Sequence, residues 1–295
     1  MRKPFGWLLA ASLGLAGFAL VSDADAAEPA KIVLVAGKAS HAPGDHEFNA
    51  GIKLLAKCLK EVEGVEPVVV TGGWPEDESV FKGARSLVFF MDGGGGHPMI
   101  QKDRLQTLQA LMDQGVGLVC MHYAVEVPKG KPGDKFLDWI GGYYETGFST
   151  NPHWVADVKG LPDHPTTRGV KPFHIRDEWY FNIRFRPEIK GITPIVVAAP
   201  DDKTREGVSA APRGPYAHIV AEKGRAEVLA WAVERPDGGR GFGFTGGHSH
   251  TNWGNDDFRT LVLNAIVWSA RLPVPSDGIK CSVSAEELKQ NLDKK

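Results

Sequence analysis

His122 closes the apolar run Gly117-Leu-Val-Cys-Met, and His248 follows another apolar run through the pair Gly246-Gly247. Imidazole titrates near neutrality, so two such groups in one cleft could serve as acid and base, or hold a metal through neutral nitrogens. His41 and His46 flank Pro43-Gly44 in a polar loop. That spacing suits a shared site or two solvated loop histidines, and by itself it is no metal motif. Asp177-Glu178-Trp179-Tyr180 sets two acids beside two aromatics. Carboxylates grip paired hydroxyls and aromatic faces cover the C–H side of a sugar ring, although an alternating surface strand would read the same way. Asp92 ends a further apolar run and leads into Gly93–Gly96. His122, His248 and Glu178 are therefore the catalytic candidates. His41, His46, Asp92, Asp177 and Tyr180 are the substrate-binding candidates.

These side chains need elements to position them. Lys31–Gly37, Val68–Val70, Ser86–Met91 and Gly117–His122 are apolar runs ending in turn residues, the pattern of strands buried on both faces. Between them, Phe48–Val62 and Leu105–Gln114 repeat apolar residues at helical spacing. The alternation predicts an α/β fold: a wound, mostly parallel sheet with helices on both faces, of flavodoxin-like type. The carboxyl ends of such strands form the ligand cleft, and the histidines and Asp92 fall there. Lys131–Lys223 is rich in Pro, Gly and aromatics and reads as an elaboration of the same domain, with short strands at Trp154–Val158 and Ile195–Ala198. Strands at Ala226–Trp231 and Gly241–Thr245 and a helix at Asp257–Ala270 complete it.

Several classes drop out. With 34 Lys+Arg against 36 Asp+Glu and a net charge of −2, no basic field exists for a phosphate backbone, so nucleic acid is not an expected partner. Gly93–Gly96 lacks the Lys-Ser/Thr of a P-loop, His46-Glu47 has Ala50 where a second zinc-protease histidine would stand, and no G-x-S-x-G elbow occurs. Arg2-Lys3, the apolar run Phe5–Val21 and Ala24-Asp25-Ala26 read as a cleavable signal peptide over 1–26. Export to the periplasm or beyond follows, with no membrane span after cleavage. One domain over 27–272 and a polar surface tail over 273–295 make up the rest. Three cysteines make no disulfide scaffold. Buried free thiols are the expectation, although an oxidising compartment would permit one disulfide.

Taken in order, Gly117–His122, Phe136–Gly142, His153 with Asp163-His164-Pro165, Asp177-Glu178-x-Tyr180, Gly238–His248 and Leu263–Trp268 make the chain resemble the ThuA-like (trehalose utilisation) family. That family is related to the class I glutamine amidotransferase fold. The amidotransferase cysteine has no counterpart: Cys120 lies inside an apolar strand, and His122 or a neighbour takes the elbow position. The resemblance implies carbohydrate chemistry on disaccharides or their 3-keto derivatives. A ketone at C3 acidifies the C2 proton, so a base can remove it while the glycosidic oxygen leaves C1. On this reading His122 and Glu178 compete for the base role and His248 is acid or electrophile. A divalent metal on some of His46, His122 and His248 could replace the electrophile. A carbohydrate-binding protein without turnover and a generic metal-dependent hydrolase are the competing expectations.

Overall fold

The computed structural model describes Met1, residues 28–207 and residues 214–295. Apart from Met1, the signal peptide expected at 1–26 lies outside the described residues. In chain order the elements begin with β1 (Ala30–Ala36), α1 (Phe48–Leu59), β2 (Val65–Val70), β3 (Ser86–Phe90), α2 (Arg104–Met112), β4 (Gly117–Met121) and α3 (Lys131–Trp139). The middle carries β5 (Gly142–Tyr143), β6 (Trp154–Val158), β7 (Phe173–Asp177) and β8 (Arg184–Phe185). The chain closes with β9 (Ile192–Ala198), α4 (Asp202–Arg205), α5 (Ala217–Val220), β10 (Glu227–Glu234), β11 (Arg240–Phe244) and α6 (Asp256–Ser269).

Seven strands form one sheet in the order β2-β1-β3-β4-β11-β10-β9. The first five are parallel, and β10 and β9 extend the sheet antiparallel. The apolar runs are explained by burial on both faces. In β1, Ile32, Leu34 and Ala36 enter the core beneath α1 and α6, while Val33 and Val35 enter the core beneath α2 and α3. Ile195–Ala198, expected as a short piece of the elaboration, instead belongs to β9, the outer strand of the main sheet. Two small antiparallel ribbons, β5–β8 and β6–β7, make up the elaboration proper. In β6 and β7 burial alternates residue by residue, and the last residue of β7 is the buried Asp177.

α6 is apolar almost all round because it is covered twice. Phe258 to Ser269 are all buried, between the sheet on one side and the middle and tail segments on the other. Its start is capped by Asn255, whose Oδ1 accepts the Phe258 N–H at 3.0 Å. Among the described residues, no helix is long and apolar enough to cross a membrane.

Two expectations need correcting here. The tail after 272 does not lie loosely on the surface: Val274, Ile279 and Cys281 are buried. It runs back along α1, where Lys57 pairs with Glu287 at 2.8 Å. That path brings Cys281 to Cys58, and the two form a disulfide rather than two buried free thiols. Cys120 alone is a free, buried thiol.

Candidate metal centre

The strand ends deliver three imidazoles to one point. His122 stands directly after β4, His248 stands in the loop that leaves β11, and His46 lies in the loop between β1 and α1. Glu178, next after β7, comes in from the ribbon. His46 Nε2 lies 2.9 Å from His248 Nδ1 and 3.0 Å from His122 Nε2. His248 Nδ1 and His122 Nε2 are 3.3 Å apart. Glu178 Oε2 is 3.1 Å from His248 Nδ1 and 3.4 Å from His122 Nε2. All four residues are buried.

Hydrogen-bond accounting shows which nitrogens carry protons. His122 Nδ1 is 2.9 Å from the Thr245 carbonyl, which only accepts, so Nδ1 holds the proton and Nε2 presents a lone pair. His46 Nδ1 faces Asp92 Oδ1 at 3.4 Å, and His248 Nε2 faces Asp45 Oδ1 at 3.4 Å. His122 and His46 therefore donate outward, His248 faces Asp45 with its outer nitrogen, and the inner nitrogens of all three turn toward one another and a carboxylate. Such convergence is repulsive unless a proton or a cation sits at the centre. Metal-bound histidines are oriented in this way, with the second nitrogen donating to a carboxylate or carbonyl. Ligands ~2.0–2.1 Å from one ion lie ~2.9–3.4 Å from each other in octahedral or tetrahedral arrangements, which spans every separation above. Three imidazoles and one carboxylate suit a first-row divalent cation such as zinc or manganese.

The electrostatics agree. Burial alone would raise the Glu178 carboxyl, but the His122 and His248 rings beside it hold it well below the usual carboxylate range. Burial and the neighbouring His122, His41 and His248 push His46 far down, so it is neutral at any working pH. His248 goes the other way: its burial is outweighed by the hydrogen bond and charge of Glu178, with Asp45 and Asp177 adding to it, and it is raised. In the absence of a cation, His248 is thus the place where a proton stabilises the cluster. Metal binding must expel that proton, so affinity is expected to fall as pH drops through the raised His248 pKa and to level off above it. Metal titrations across a pH series, with proton release measured alongside, check this.

The backbone is built around the cluster. His41, His46 and His122 all have positive φ, at 63°, 48° and 52°. Non-glycine residues adopt that region at a cost, and such residues gather at functional sites. The loops carrying His46 and His248 are zipped together, His46 N–H donating to His248 O at 2.9 Å and His250 N–H to Gly44 O at 2.9 Å. Gly93 lets the β3 loop pass against the turn after His122: a Cβ there would lie 2.1 Å from the Tyr123 carbonyl oxygen.

The expected site residues separate by role. His122, His248, Glu178 and His46 converge, which brings His46 into one cluster with the three catalytic candidates. Tyr180 is buried with its hydroxyl 3.2 Å from His122 Nε2. His41, half-exposed, stacks on His46 at 3.6 Å and lies 3.7 Å from Asp92, which faces the cleft. Asp177 cannot be a substrate contact. It is fully buried, its Oδ2 accepts the Gly247 N–H at 2.7 Å, and its Oδ1 accepts the N–H groups of Ser249 and Glu178 at 3.1 and 2.9 Å. One carboxylate thereby fixes both the loop that carries His248 and the backbone of Glu178. Asp177→Asn turns a donor toward a donor, and is expected to cost about 2 kcal/mol of stability and to weaken metal binding about tenfold. Denaturant unfolding and metal titration of the variant check both.

Other residues were not singled out by the sequence. Asp45 and the Thr245 carbonyl orient His248 and His122 but carry no motif. His153 stacks edge-on to His248 at 4.7 Å, and the run it opens in the family resemblance was its only signal. Asn151 Nδ2 donates to Glu178 Oε1 at 3.1 Å. Glu126 lies four residues past His122, accepts from Thr146 Oγ1 at 2.9 Å, and is raised to about 7 by burial, which outweighs that bond and is reinforced by the Glu178 charge. Beside it the Tyr123 hydroxyl is pushed up to about 12 by burial and the surrounding carboxylates. Cys120 is no nucleophile: burial pushes its thiol far up, inside β4.

The tail reaches this site. The Asp293 N–H donates to Glu47 Oε2 at 2.6 Å, and Lys295 Nζ pairs with Glu47 Oε1 at 3.3 Å, both side chains being buried. Lys295 also donates to the carbonyls of Ala42 and Asp45. The loop holding Asp45 and His46 is therefore clamped by residues whose path is fixed by the Cys58–Cys281 bridge.

Comparison with known proteins follows the same lines. Two ThuA-like proteins of known structure share the architecture. That from Bacteroides uniformis ATCC 8492 aligns over 83% of this chain and 93% of its own, with a TM-score of 0.57 and 17% identity. That from Parabacteroides merdae ATCC 43184 aligns over 89% and 100%, with a TM-score of 0.56 and 17% identity. No curated protein matches the chain. The profile of the ThuA family, described as trehalose utilisation, matches residues 32–269, a span that holds all four converging side chains. The chain belongs to the ThuA family.

Proposed function

We propose that this protein is an exported, metal-dependent enzyme of carbohydrate metabolism that cleaves a glycoside bearing a 3-keto group. The observation carrying the reading is the convergence of His46, His122, His248 and Glu178, each offering one donor atom within 4.8 Å of the others. The family description, trehalose utilisation, supports the substrate class. The disulfide is in keeping with an oxidising compartment and so supports export.

The cluster redistributes the roles expected from sequence. His46, His122, His248 and Glu178 turn their inner donor atoms to one point and would together hold a divalent cation, which would supply Lewis-acid stabilisation of an enolate oxygen. Proton transfer then belongs to the groups around it. His41 and His153 are lowered by burial and are neutral near pH 7, fit to accept the C2 proton. Glu126, raised to about 7, is fit to deliver a proton to the departing C1 oxygen. The C2–H electrons become the C1=C2 bond as the C1–O bond breaks, and the leaving oxygen takes the proton from Glu126. Glu126→Gln is expected to lower kcat at least tenfold and to remove the basic limb of the pH profile, while leaving metal content intact.

The test is incubation of a 3-keto glucoside in heavy water with metal-loaded and chelator-treated protein. Deuterium at C2 and release of the aglycone are expected with the loaded protein alone. A fully loaded protein that gives neither overturns the reaction; exchange that survives complete removal of metal overturns the metal's part in it.

A further inference from the structure

A cavity of about 740 Å³ opens at the carboxyl ends of β1, β2 and β3, beside the cluster but outside it. Its walls include Lys38 after β1, Trp74 and Glu76 after β2, Asp92 after β3, and Arg104 at the start of α2. The place has a topological cause. From β1 the chain moves outward to β2, then crosses back over β1 to β3. The loops leaving β1 and β3 therefore diverge, and open α/β sheets bind ligands in the crevice such a reversal creates.

Asp92 is the wall shared with the metal centre. Its Oδ1 accepts from Ser40 Oγ at 2.9 Å and faces His46 Nδ1 at 3.4 Å, while the opposite nitrogen of His46 belongs to the cluster. Cavity and centre thus share a wall made of one imidazole and one carboxylate.

The lining is rigid and mixed in character. Trp74 is only partly buried, yet its indole is pinned: Nε1 donates to Glu78 Oε1 at 2.7 Å, Phe81 packs edge-on at 5.1 Å, and the Arg104 guanidinium lies 5.2 Å from the ring. Arg104 is itself held by a bond to the Pro98 carbonyl at 2.8 Å. Gly72 and Gly73 leave the approach to Trp74 bare, with nothing within 4 Å of where a side chain would begin. An aromatic wall with both cations and carboxylates around it recognises neutral rings rich in hydroxyls better than an anion or an apolar ligand.

We propose that this cavity is a second sugar subsite, holding the ring of a disaccharide that does not undergo chemistry while the other ring lies at the metal centre. The inference rests on the carbohydrate reading above and adds where the substrate's second ring is bound and by which residues. The substrate class is then a disaccharide, not a glycoside with a small or apolar aglycone.

Calorimetric titration of the full, metal-loaded protein with trehalose tests it, since a non-oxidised disaccharide reports binding without turnover. Saturable binding is expected, weakened at least tenfold in Arg104→Ala and in Lys38→Ala, with one metal per chain retained in both. Trp74→Ala is expected to do the same, and the variant at the exposed Lys38 keeps the test valid should Trp74→Ala not fold. Trehalose binding unaffected by all three cavity variants, or no binding at all, overturns the subsite. Cleavage of a 3-keto glucoside with no trehalose binding would sink the subsite and leave the reaction standing. Trehalose binding with no cleavage of any keto sugar would do the reverse.

Discussion

Alanine at position 122 is expected to abolish stoichiometric metal binding while leaving a folded protein. Structural zinc sites hold their ion by about 10–16 kcal/mol, so one ligand in four accounts for roughly 3–4 kcal/mol, or about 10²–10³ in affinity. His122 is the position where that loss is least recoverable. It is fully buried, its ring is oriented by the Thr245 carbonyl, and its backbone is held at positive φ. The buried Tyr180 hydroxyl, 3.2 Å from Nε2, packs against the same position. His122→Asn, whose amide reaches the Nδ1 position but not that of Nε2, should recover little. Elemental analysis after dialysis and thermal unfolding of the same sample separate loss of metal from loss of fold.

Removing the Cys58–Cys281 bridge is expected to act on both stability and the metal. The two cysteines are separated by 223 residues, and cross-links of this kind contribute about 2–5 kcal/mol. A simple staple would do no more. Here the bridge fixes the path of the tail whose Asp293 and Lys295 hold Glu47, the neighbour of His46. Loosening that loop should weaken metal affinity about tenfold, the range seen when groups that orient ligands are lost. Cys281→Ser should show both effects in denaturant unfolding and in metal titration. Unchanged affinity in a clearly destabilised variant would mean that the tail braces the fold without tuning the centre.

The parts legible in the sequence share a physical basis. Strands buried on both faces must be apolar throughout, so β1, β3, β4 and β11 stand out in the chain, and their carboxyl ends point to His122, His248 and Asp92. Glu178 was visible as an acid beside aromatics, in a ribbon that alternates. What could not be read were contacts whose cause is tertiary. Asp177 and Glu178 are chemically alike and adjacent, yet one is consumed by three backbone N–H groups and the other faces the cluster, a distinction set by a single strand register. His46 reads as a loop histidine because nothing local shows that its loop is zipped to residues two hundred positions away. The polarity of the tail suggested solvent, and the few apolar residues within it, together with Cys281, were too sparse to announce that it returns to α1.

The Asp45 and Thr245 contacts illustrate the same limit from another side. They are a loop carboxylate and a main-chain carbonyl, ordinary in sequence, and acquire meaning only because each fixes which nitrogen of an imidazole is free. The tautomers, and through them the chemistry, are decided by these two acceptors and by Asp92.

The most direct measurement is X-ray absorption at the metal edge on protein loaded with one equivalent of zinc. The account predicts a single site with nitrogen and oxygen neighbours at ~2.0–2.2 Å, the multiple-scattering signature of three imidazoles, and loss of that signature in His248→Ala. A spectrum with fewer imidazoles, with sulfur, or unchanged by His248→Ala would place the ion elsewhere and contradict the account.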